Sequence, residues 1–243
     1  MTARERADRL LVARGLFDSR AKAQAAIAAG LVTADDRPVR KASDGIPLDA
    51  KLTAEPAFPW VSRGGVKLAH ALDRLGIEVV GRVCLDVGAS TGGFTEVLIA
   101  KGAQRVYAVD VGRGQLHASL RDRPEIVSLE ETDIRSLDPA RIAEPPDVVV
   151  IDASFISLKH VLPAALRLAA PSAHLVALVK PQHELRRSDL KKGVVRDPAL
   201  HAAVCAEIAA VMTSLGCDVI ATFPSPIEGG DGNREFFIGA RRG

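Results

Sequence analysis

Two charged residues stand directly after apolar runs, at positions where a charge is seldom incidental. Asp152 follows the run Val148–Ile151, and Lys180 follows the run Leu175–Val179 and precedes Pro181. Both runs predict parallel strands, and ligands of open α/β sheets bind at the carboxyl ends of such strands. A carboxylate and an amine held there could orient a substrate and move a proton. Asp152 and Lys180 are therefore the first candidates for catalysis.

A second lysine and a second acid could join this pair. Lys67 is expected in the first turn of a helix whose apolar positions, Leu68, Leu72 and Leu75, share one face. A lysine there is unfavourable beside the positive end of the helix, which points to a special role, although an exposed lysine is the alternative. Glu235 begins the last predicted strand. Lys67 and Glu235 complete the set of candidate catalytic residues.

A glycine-rich loop follows the first strand of the same region. Residues 84–94 read Cys-Leu-Asp-Val-Gly-Ala-Ser-Thr-Gly-Gly-Phe, and glycines between a strand and a helix let the backbone approach a ligand. Asp110 ends the next strand, where an acid can bind ribose hydroxyls, and Asp133 could hold an adenine amino group. The candidate cofactor contacts are Asp86, Gly88, Ala89, Ser90, Gly92, Gly93, Phe94, Asp110, Asp133 and Asp152.

Three interpretations of this loop compete. A nicotinamide dehydrogenase would carry Gly-x-Gly-x-x-Gly, but Ser90 occupies the second glycine position. A hydrolase could use Gly88-Ala-Ser-Thr-Gly92 as a nucleophile elbow. That elbow belongs late in its sheet, however, and no histidine here has a triad-like setting. Binding of S-adenosylmethionine agrees best with the loop and with the acid at the next strand end.

Strand-like and helical stretches alternate from residue 64 onward. Helices are expected between the first six strands, so the pattern predicts a parallel sheet covered on both faces. The last two strands are joined without a helix and predict an antiparallel hairpin. The expected fold is α/β, a class I (Rossmann-like) methyltransferase with a seven-stranded, mostly parallel sheet. The predicted strands are Val83–Val87, Arg105–Val109, Ile126–Leu129, Asp147–Ile151, His174–Val179, Asp218–Phe223 and Glu235–Ala240.

Residues 1–60 predict a separate, small α+β domain ahead of the catalytic domain at 61–243. A helix is expected from Arg4 to Ala13, and Ser19 can cap a second helix that ends at Gly30. A hairpin is expected around Ala34–Pro38. This segment contains many basic residues, which could bind RNA. Acidic residues lie among them, so a solvent-exposed surface without a binding role is the alternative. The candidate RNA contacts are Arg6, Arg20 and Lys22, with Arg63 just after the domain boundary.

Composition excludes several classes of protein. Of the 243 residues, 47% are hydrophobic and 26% are charged, so the chain can bury a core. The sequence has no apolar run near the ~18 residues that a membrane span needs, and its charged start leads into no signal core. Cys84, Cys205 and Cys217 form no Cys-x-x-Cys pair, so we expect reduced thiols, no metal site and a cytoplasmic protein.

Together these motifs resemble the FtsJ-like ribose 2′-O-methyltransferases. The shared elements are Ser62-Arg-x-x-x-Lys67, Asp86-Val-Gly-Ala-x-x-Gly-Gly-Phe94, Asp152, Lys180-Pro and Asn233-x-Glu235. The resemblance implies a catalytic tetrad of Lys67, Asp152, Lys180 and Glu235, with S-adenosylmethionine as the methyl donor. Two lysines could then orient the ribose 2′-oxygen and stabilise its developing negative charge.

Other segments resemble the hemolysin A (TlyA) branch of that family. They are Ile151-Asp-Ala-Ser-Phe-Ile-Ser, Lys192-Gly-Val-Val-Arg-Asp and Ser225-Pro-Ile-Glu-Gly. The pattern Leu10-Leu-x-x-x-Gly15-x-x-x-Ser19-Arg-x-x-Ala23-x-x-x-Ile27-x-x-Gly30 resembles the RNA-binding domain named after a small-subunit ribosomal protein. The resemblance implies 2′-O-methylation of cytidine in ribosomal RNA. Ribosomal RNA or ribosomal subunits are the expected partners, and a monomer is the default expectation.

Two alternatives belong to other classes of function. An RNA-binding protein without catalysis would have no use for Asp152 and Lys180 at strand ends. A membrane-active hemolysin would need apolar or alternating membrane-spanning segments, which the sequence does not supply. Both alternatives are disfavoured against a methyltransferase.

Overall fold

The structure is a computed structural model that describes residues 3–186, 188, 190, 193–229 and 232–243. Lys192, the first residue of one family-type motif, lies outside the described residues. The chain divides into two compact units, Met1–Pro59 and Trp60–Gly243. Each unit has a hydrophobic core of its own.

The first unit combines two helices with short antiparallel strands. Its core contains Leu10 and Leu11 from one helix and Ala23 and Ile27 from the other. β1 pairs with β4, and the order in the second small sheet is β3-β2-β5. In chain order the elements are β1 (Arg4–Arg6), α1 (Ala7–Ala13), α2 (Arg20–Ala28), β2 (Val32–Ala34), β3 (Arg37–Pro38), β4 (Gly45–Pro47) and β5 (Leu52–Ala54).

The predicted helix beginning at Arg4 is wrong in its first turn. Arg4–Arg6 is extended because its backbone pairs with Gly45–Pro47, a partner that is distant in the sequence and that local helix propensity does not reveal. The cap of α2 agrees with expectation, since Ser19 Oγ accepts a hydrogen bond from Lys22 N–H at 3.3 Å. The hairpin turns at Asp35 and Asp36, both with positive φ as a two-residue turn of this type requires.

The second unit contains a seven-stranded sheet in the order β11-β12-β10-β9-β6-β7-β8. β12 runs antiparallel to both neighbours, β10 and β11, and the pairs within the five-strand run β10-β9-β6-β7-β8 are all parallel. The predicted class I methyltransferase arrangement is therefore confirmed. The strands are β6 (Val83–Val87), β7 (Arg105–Val109), β8 (Ile126–Leu129), β9 (Val148–Ile151), β10 (His174–Val179), β11 (Cys217–Pro224) and β12 (Phe236–Arg242).

Helices cover both faces of this sheet. Side chains from α6 and α8 lie in the hydrophobic cluster on one face, and side chains from α3, α4 and α5 lie in the cluster on the other. β6 and β9 are buried along their whole length, as expected for central parallel strands, although β6 includes the carboxylate of Asp86. The helices are α3 (Arg63–Leu75), α4 (Gly93–Ala100), α5 (Ala118–Arg121), α6 (Leu158–Leu168), α7 (Pro181–Glu184) and α8 (Pro198–Ser214).

The helix expected between β8 and β9 is absent from this described stretch. Only two short 3₁₀ turns occur there, Ile134–Ser136 and Pro139–Arg141. Asp133 and Asp138 cap these turns by accepting backbone N–H groups. Three prolines in the segment remove hydrogen-bond donors and disfavour helical backbone before them, so a continuous helix cannot form.

Two further findings concern the chain as a whole. Cys84, Cys205 and Cys217 are free and buried, as small core residues would be. Among the described residues, helices long and apolar enough for a bilayer crossing are not found.

The contact between α3 and α4 generates a stability prediction. A Cβ on Gly93 would overlap Ser62 Oγ and lie 3.1 Å from the backbone nitrogen of Gly65. Gly93→Ala should therefore lower the free energy of unfolding by about 1–3 kcal/mol, the usual cost of overpacking. Urea unfolding followed by fluorescence of Trp60, which packs against Gly65, measures it.

Gly64→Ala is the matched control, because its new Cβ would meet nothing nearer than 3.2 Å. This control should change the free energy of unfolding by no more than about 1 kcal/mol. Equal effects of the two substitutions would contradict the assigned close approach of α3 and α4.

Candidate active site

The carboxyl ends of β6, β7 and β9 open onto one cavity of about 550 Å³. Five of the predicted cofactor residues line it: Gly88, Ser90, Asp110, Asp133 and Asp152. Pockets that bind small molecules and cofactors commonly have volumes of roughly 300–1,000 Å³. The cavity therefore has the size and the position expected for a nucleoside cofactor.

The loop after β6 is held against the end of β9. Gly88 has φ 85°, and a Cβ there would lie 2.7 Å from the carbonyl oxygen of Asp152. Asp110 ties this loop to the one after β7: its Oδ2 accepts from Ser90 N–H at 2.8 Å and its Oδ1 from Gly112 N–H at 2.7 Å. Each carboxylate oxygen retains a further acceptor site. Asp110 can therefore hold the loops together and still accept hydrogen bonds from a ligand.

The later glycines of the loop serve packing. The space beside Gly92 is filled by Leu116 and Leu120, and Gly93 lies against α3. Phe94 is buried and its ring stacks on Phe237, with centroids 6.5 Å apart. These three residues, and Ala89, do not line the cavity. The second half of the loop thus positions α4, while the first half faces the cavity.

Asp86 lies below the cavity and is fully buried. Its Oδ2 accepts a hydrogen bond from Thr95 Oγ1 at 2.6 Å, whereas its Oδ1 has no partner among the described residues. Burial is the main reason that the pKa of the Asp86 carboxyl is raised to about 7; the charges of Asp152 and Asp110 contribute to the rise, and hydrogen bonds from Thr95 oppose it. An unpaired, buried acceptor of this kind can interact with a positively charged ligand group.

Asp133 already has a partner in the structure. Arg135 forms an ion pair with it at 2.6 Å and is hydrogen-bonded to both carboxylate oxygens. These hydrogen bonds hold the pKa of Asp133 below its ordinary value. Asp133 therefore lines the cavity as an ionised acceptor.

Lys180 and Asp152 form the first charged pair of the candidate active site. Lys180 Nζ lies 2.6 Å from Asp152 Oδ1 and donates a hydrogen bond to Ser154 Oγ at 2.7 Å. Only 9% of Lys180 is exposed. The amine is therefore fixed at the end of β10 by two groups that follow β9.

Lys67 and Glu235 form the second pair, with Nζ and Oε2 2.5 Å apart. The predicted place of Lys67 in the first turn of its helix is wrong: Ser62 caps α3, and Lys67 is one turn further on. Lys67 is buried because α3 packs against the sheet. It lies too far along the helix for the positive helix end to disfavour its charge. Val179 pairs with Phe236 in the antiparallel ladder of β10 and β12. Lys180, which follows Val179, and Glu235, which precedes Phe236, are therefore at neighbouring positions in register. The two pairs are thus brought to one region of the sheet edge.

Phe155 lies at the cavity, a position that the sequence did not indicate. Its side chain is 93% exposed, it lines the cavity, and its φ of 63° is unusual for a bulky residue. His183 contacts the ring, with centroids 5.2 Å apart. The motif from Ile151 to Ser157 contains Phe155, but an aromatic residue near a strand end is more often a core residue, so sequence alone did not single it out.

The predicted RNA contacts lie in both units. Arg6 and Arg20 both bind the carboxylate of Asp8, and Lys22 forms an ion pair with Asp18 at 2.8 Å. Arg63 is the exposed first residue of α3. Within the described ranges, no cluster of histidine, cysteine and acidic residues suited to a metal ion is found.

Asp86 generates a pH-dependent prediction. Its pKa is about 7 in the folded chain, above the ordinary 3.8, so the folded state retains a proton that the unfolded state releases. Wild-type stability should therefore fall as the pH rises from about 4 to 7. The side chain at this position in the Asp86→Asn variant cannot titrate. Between about pH 4 and 7 the free energy of unfolding of wild type should therefore fall by up to a few kcal/mol relative to that of the variant. Urea unfolding at several pH values measures the difference.

Thr95→Val is the companion variant. The Thr95 hydroxyl lowers the pKa of Asp86, so its removal should extend the loss of stability to higher pH. Parallel pH profiles for wild type and Asp86→Asn would show that Asp86 does not titrate in this range.

Comparisons with known proteins agree with this architecture. The model of the family described as FtsJ-like methyltransferase matches residues 60–242. The chain is 45% identical to the 16S/23S rRNA (cytidine-2′-O)-methyltransferase TlyA of Mycobacterium tuberculosis, over 99% of this chain and 91% of that protein. It is 35% identical to hemolysin A of Brachyspira hyodysenteriae, over 95% of this chain and 97% of that one.

A solved structure of a hemolysin-like protein from Streptococcus thermophilus covers the whole chain. The two share 37% identity and superpose with a TM-score of 0.79, over 100% of this chain and 90% of that one. The resemblance inferred from the motifs is confirmed. The chain belongs to the FtsJ-like methyltransferase family, in its TlyA and hemolysin A branch.

Proposed function

We propose that this chain transfers a methyl group from S-adenosylmethionine to the ribose 2′-hydroxyl of a cytidine in ribosomal RNA. The observation that carries the proposal is a set of two buried lysine–carboxylate pairs, Lys67–Glu235 and Lys180–Asp152, at the ends of neighbouring elements of the sheet; Asp152 also lines the cavity. Family membership and the activity of the Mycobacterium tuberculosis relative support the same reaction.

The cavity suits S-adenosylmethionine in its charge as well as its size. Asp110 and Asp133 line the cavity and offer carboxylate oxygens for the ribose hydroxyls and the adenine amino group. Asp86 does not line the cavity; it is buried one residue before the lining residue Val87, and its Oδ1 has no partner among the described residues. Gly88 allows the backbone to come close to the ligand at the strand end. When bound, S-adenosylmethionine supplies a methyl group that is activated by the positive charge of its sulfur.

Lys180 is the residue to which we assign the proton transfer. Once unprotonated, its Nζ would accept the proton of the 2′-hydroxyl, while the bound donor would supply the methyl group to the ribose oxygen. Asp152 and Ser154 hold this nitrogen in place, because both lie within 2.7 Å of it. Lys67, held by Glu235, supplies a positive charge that stabilises the developing charge on the ribose oxygen.

The RNA itself would be held by groups outside the tetrad. The exposed ring of Phe155 offers a face on which a base can stack, an interaction that proteins use widely for single-stranded nucleotides. Arg6, Arg20 and Lys22 in the first unit and Arg63 in the second supply charge for phosphates. Ribosomal RNA or a ribosomal subunit is thus the proposed partner.

Cofactor binding gives the first test of this proposal. Asp110→Ala should weaken S-adenosylmethionine binding by about 1–3 kcal/mol, because it removes hydrogen bonds to a charged acceptor. Titration calorimetry measures the affinity, and urea unfolding checks that the loops remain folded. Asp138→Ala is the control, since Asp138 caps a turn without lining the cavity. Binding of a nicotinamide dinucleotide, with no heat from S-adenosylmethionine, would overturn the cofactor assignment.

Catalysis gives the second test, with labelled methyl transfer to free ribosomal RNA and to purified subunits. Lys180→Ala should retain cofactor binding but lose about 10²–10⁴-fold in rate. Lys180→Arg should not restore the rate, because a guanidinium cannot accept a proton. Lys159→Ala, which removes a partly exposed lysine that pairs with Glu207 and does not line the cavity, should leave the rate unchanged.

Mapping of the labelled nucleotide completes the experiment, and 2′-O-methylcytidine is the expected product. A methyl group on a base instead of a ribose would refute the proposed reaction. Near-normal single-turnover rates for Lys180→Arg would refute the base role and leave Lys180 as a positioning charge.

A further inference from the structure

A buried carboxylate organises two of the arginines in the first unit. Asp8 has no exposed surface, and its two oxygens accept hydrogen bonds from Arg6, Arg20 and Gln24. Arg6 donates from Nε and Nη2 at 3.0 and 3.1 Å, and Arg20 donates from the same two atoms at 3.2 and 2.8 Å. Both guanidinium groups are thus held by the same carboxylate.

The hydrogen bonds leave the outer edge of each guanidinium free. Each group has five N–H donors, and Asp8 uses only the side that carries Nε. Within the described part of the chain, neither Nη1 has a hydrogen-bond partner. The Arg6 and Arg20 side chains are 40% and 52% exposed, so the remaining donors reach solvent.

The charges of this cluster favour one kind of ligand. Two arginines and one aspartate leave a net charge of +1, which matches the single negative charge of an RNA phosphodiester. A free pair of N–H groups on a guanidinium binds phosphate oxygens in bidentate fashion. Since Asp8 already restricts both side chains, binding would cost less conformational entropy than it costs a mobile arginine.

We propose that Asp8 is a positioning residue that orients Arg6 and Arg20 as a preformed phosphate-binding site for the RNA substrate. The proposal rests on the proposed function, because it assumes that the first unit binds RNA. It differs from a purely electrostatic role for the basic residues. In that case Asp8 would weaken RNA binding, since it carries the same sign of charge as the phosphate.

The sign of one measurement separates these two roles. Asp8→Asn adds one positive charge to the cluster, and electrostatics alone would then tighten RNA binding. If Asp8 positions the arginines, the same substitution should weaken RNA binding about five- to a hundredfold, since two side chains must then be ordered on binding. The plot of log affinity against log salt should also become flatter by about one to two units, because phosphate contacts are lost.

Matched controls use the full-length chain. Asp49→Asn makes the same change of charge at an exposed position in the same unit and should leave RNA binding unchanged or tighter. Arg20→Lys retains the charge but not the two-edged geometry, and it should weaken binding even if Asp8→Asn proves poorly folded. Arg9→Lys is its control, because the ion pair that Arg9 makes within the described residues is a long one, with Glu5 at 3.9 Å.

The experiment measures the affinity for ribosomal RNA fragments directly and methyl transfer separately. With Asp8→Asn we expect a raised KM for RNA, an unchanged kcat at saturating RNA and unchanged affinity for S-adenosylmethionine. Wild-type or tighter RNA binding by folded Asp8→Asn would overturn the proposal, as would equal binding by Arg20→Lys and Arg9→Lys. A wild-type chain that binds no RNA would also overturn it. A chain that binds RNA but transfers no methyl group would refute only the proposed function.

Discussion

Buried charges must be paired, and this constraint governs the candidate active site. Lys67, Lys180 and Glu235 are each less than 10% exposed, and an unpaired charge at such a position would cost several kcal/mol. The pairs Lys67–Glu235 and Lys180–Asp152 meet this requirement across elements that are distant in the sequence. These two contacts therefore require a particular register of β9, β10 and β12. They also require that α3 packs at a particular depth against the sheet. Displacement of any of these elements would leave a buried charge without its partner.

The sheet was predictable because its central strands are mostly apolar. β9 is a continuous run of aliphatic residues and most of β10 is apolar, and charges directly after these two strands marked Asp152 and Lys180. Long-range pairing was not predictable in the same way. Arg4–Arg6 looks helical by local preference, yet it pairs with a strand some forty residues away, at Gly45–Pro47. Lys67 was assigned to the wrong helical turn because Ser62 was not recognised as the N-cap of α3, although its Oγ accepts a hydrogen bond from Gly64 N–H.

The glycine-rich loop shows why a motif does not assign a role to each of its residues. Its glycines are needed for two reasons that the sequence does not distinguish. Gly88 prevents a clash with the backbone of Asp152 at the cavity, whereas Gly93 prevents a clash with Ser62 on the opposite side of the loop. Phe94 belongs to the second group, since its ring contributes to the core beside Phe237. Spacing alone predicts that such a loop approaches a ligand, but the surrounding packing decides which residues line the cavity.

The place of β12 in the sheet has a consequence for the order of folding. This strand lies between β10 and β11, although it is the last strand in the chain. Lys67 and Glu235 are separated by 168 residues, so their contact closes a very long loop. Such non-local contacts form late, because the chain entropy of closing the loop is lost before the contact is gained. During synthesis the cofactor loop and β6 to β9 emerge before β12, and the Lys67–Glu235 pair cannot form until that strand is inserted between β10 and β11. The part of the second unit that lines the cavity can therefore fold before Lys67 and Glu235 come together.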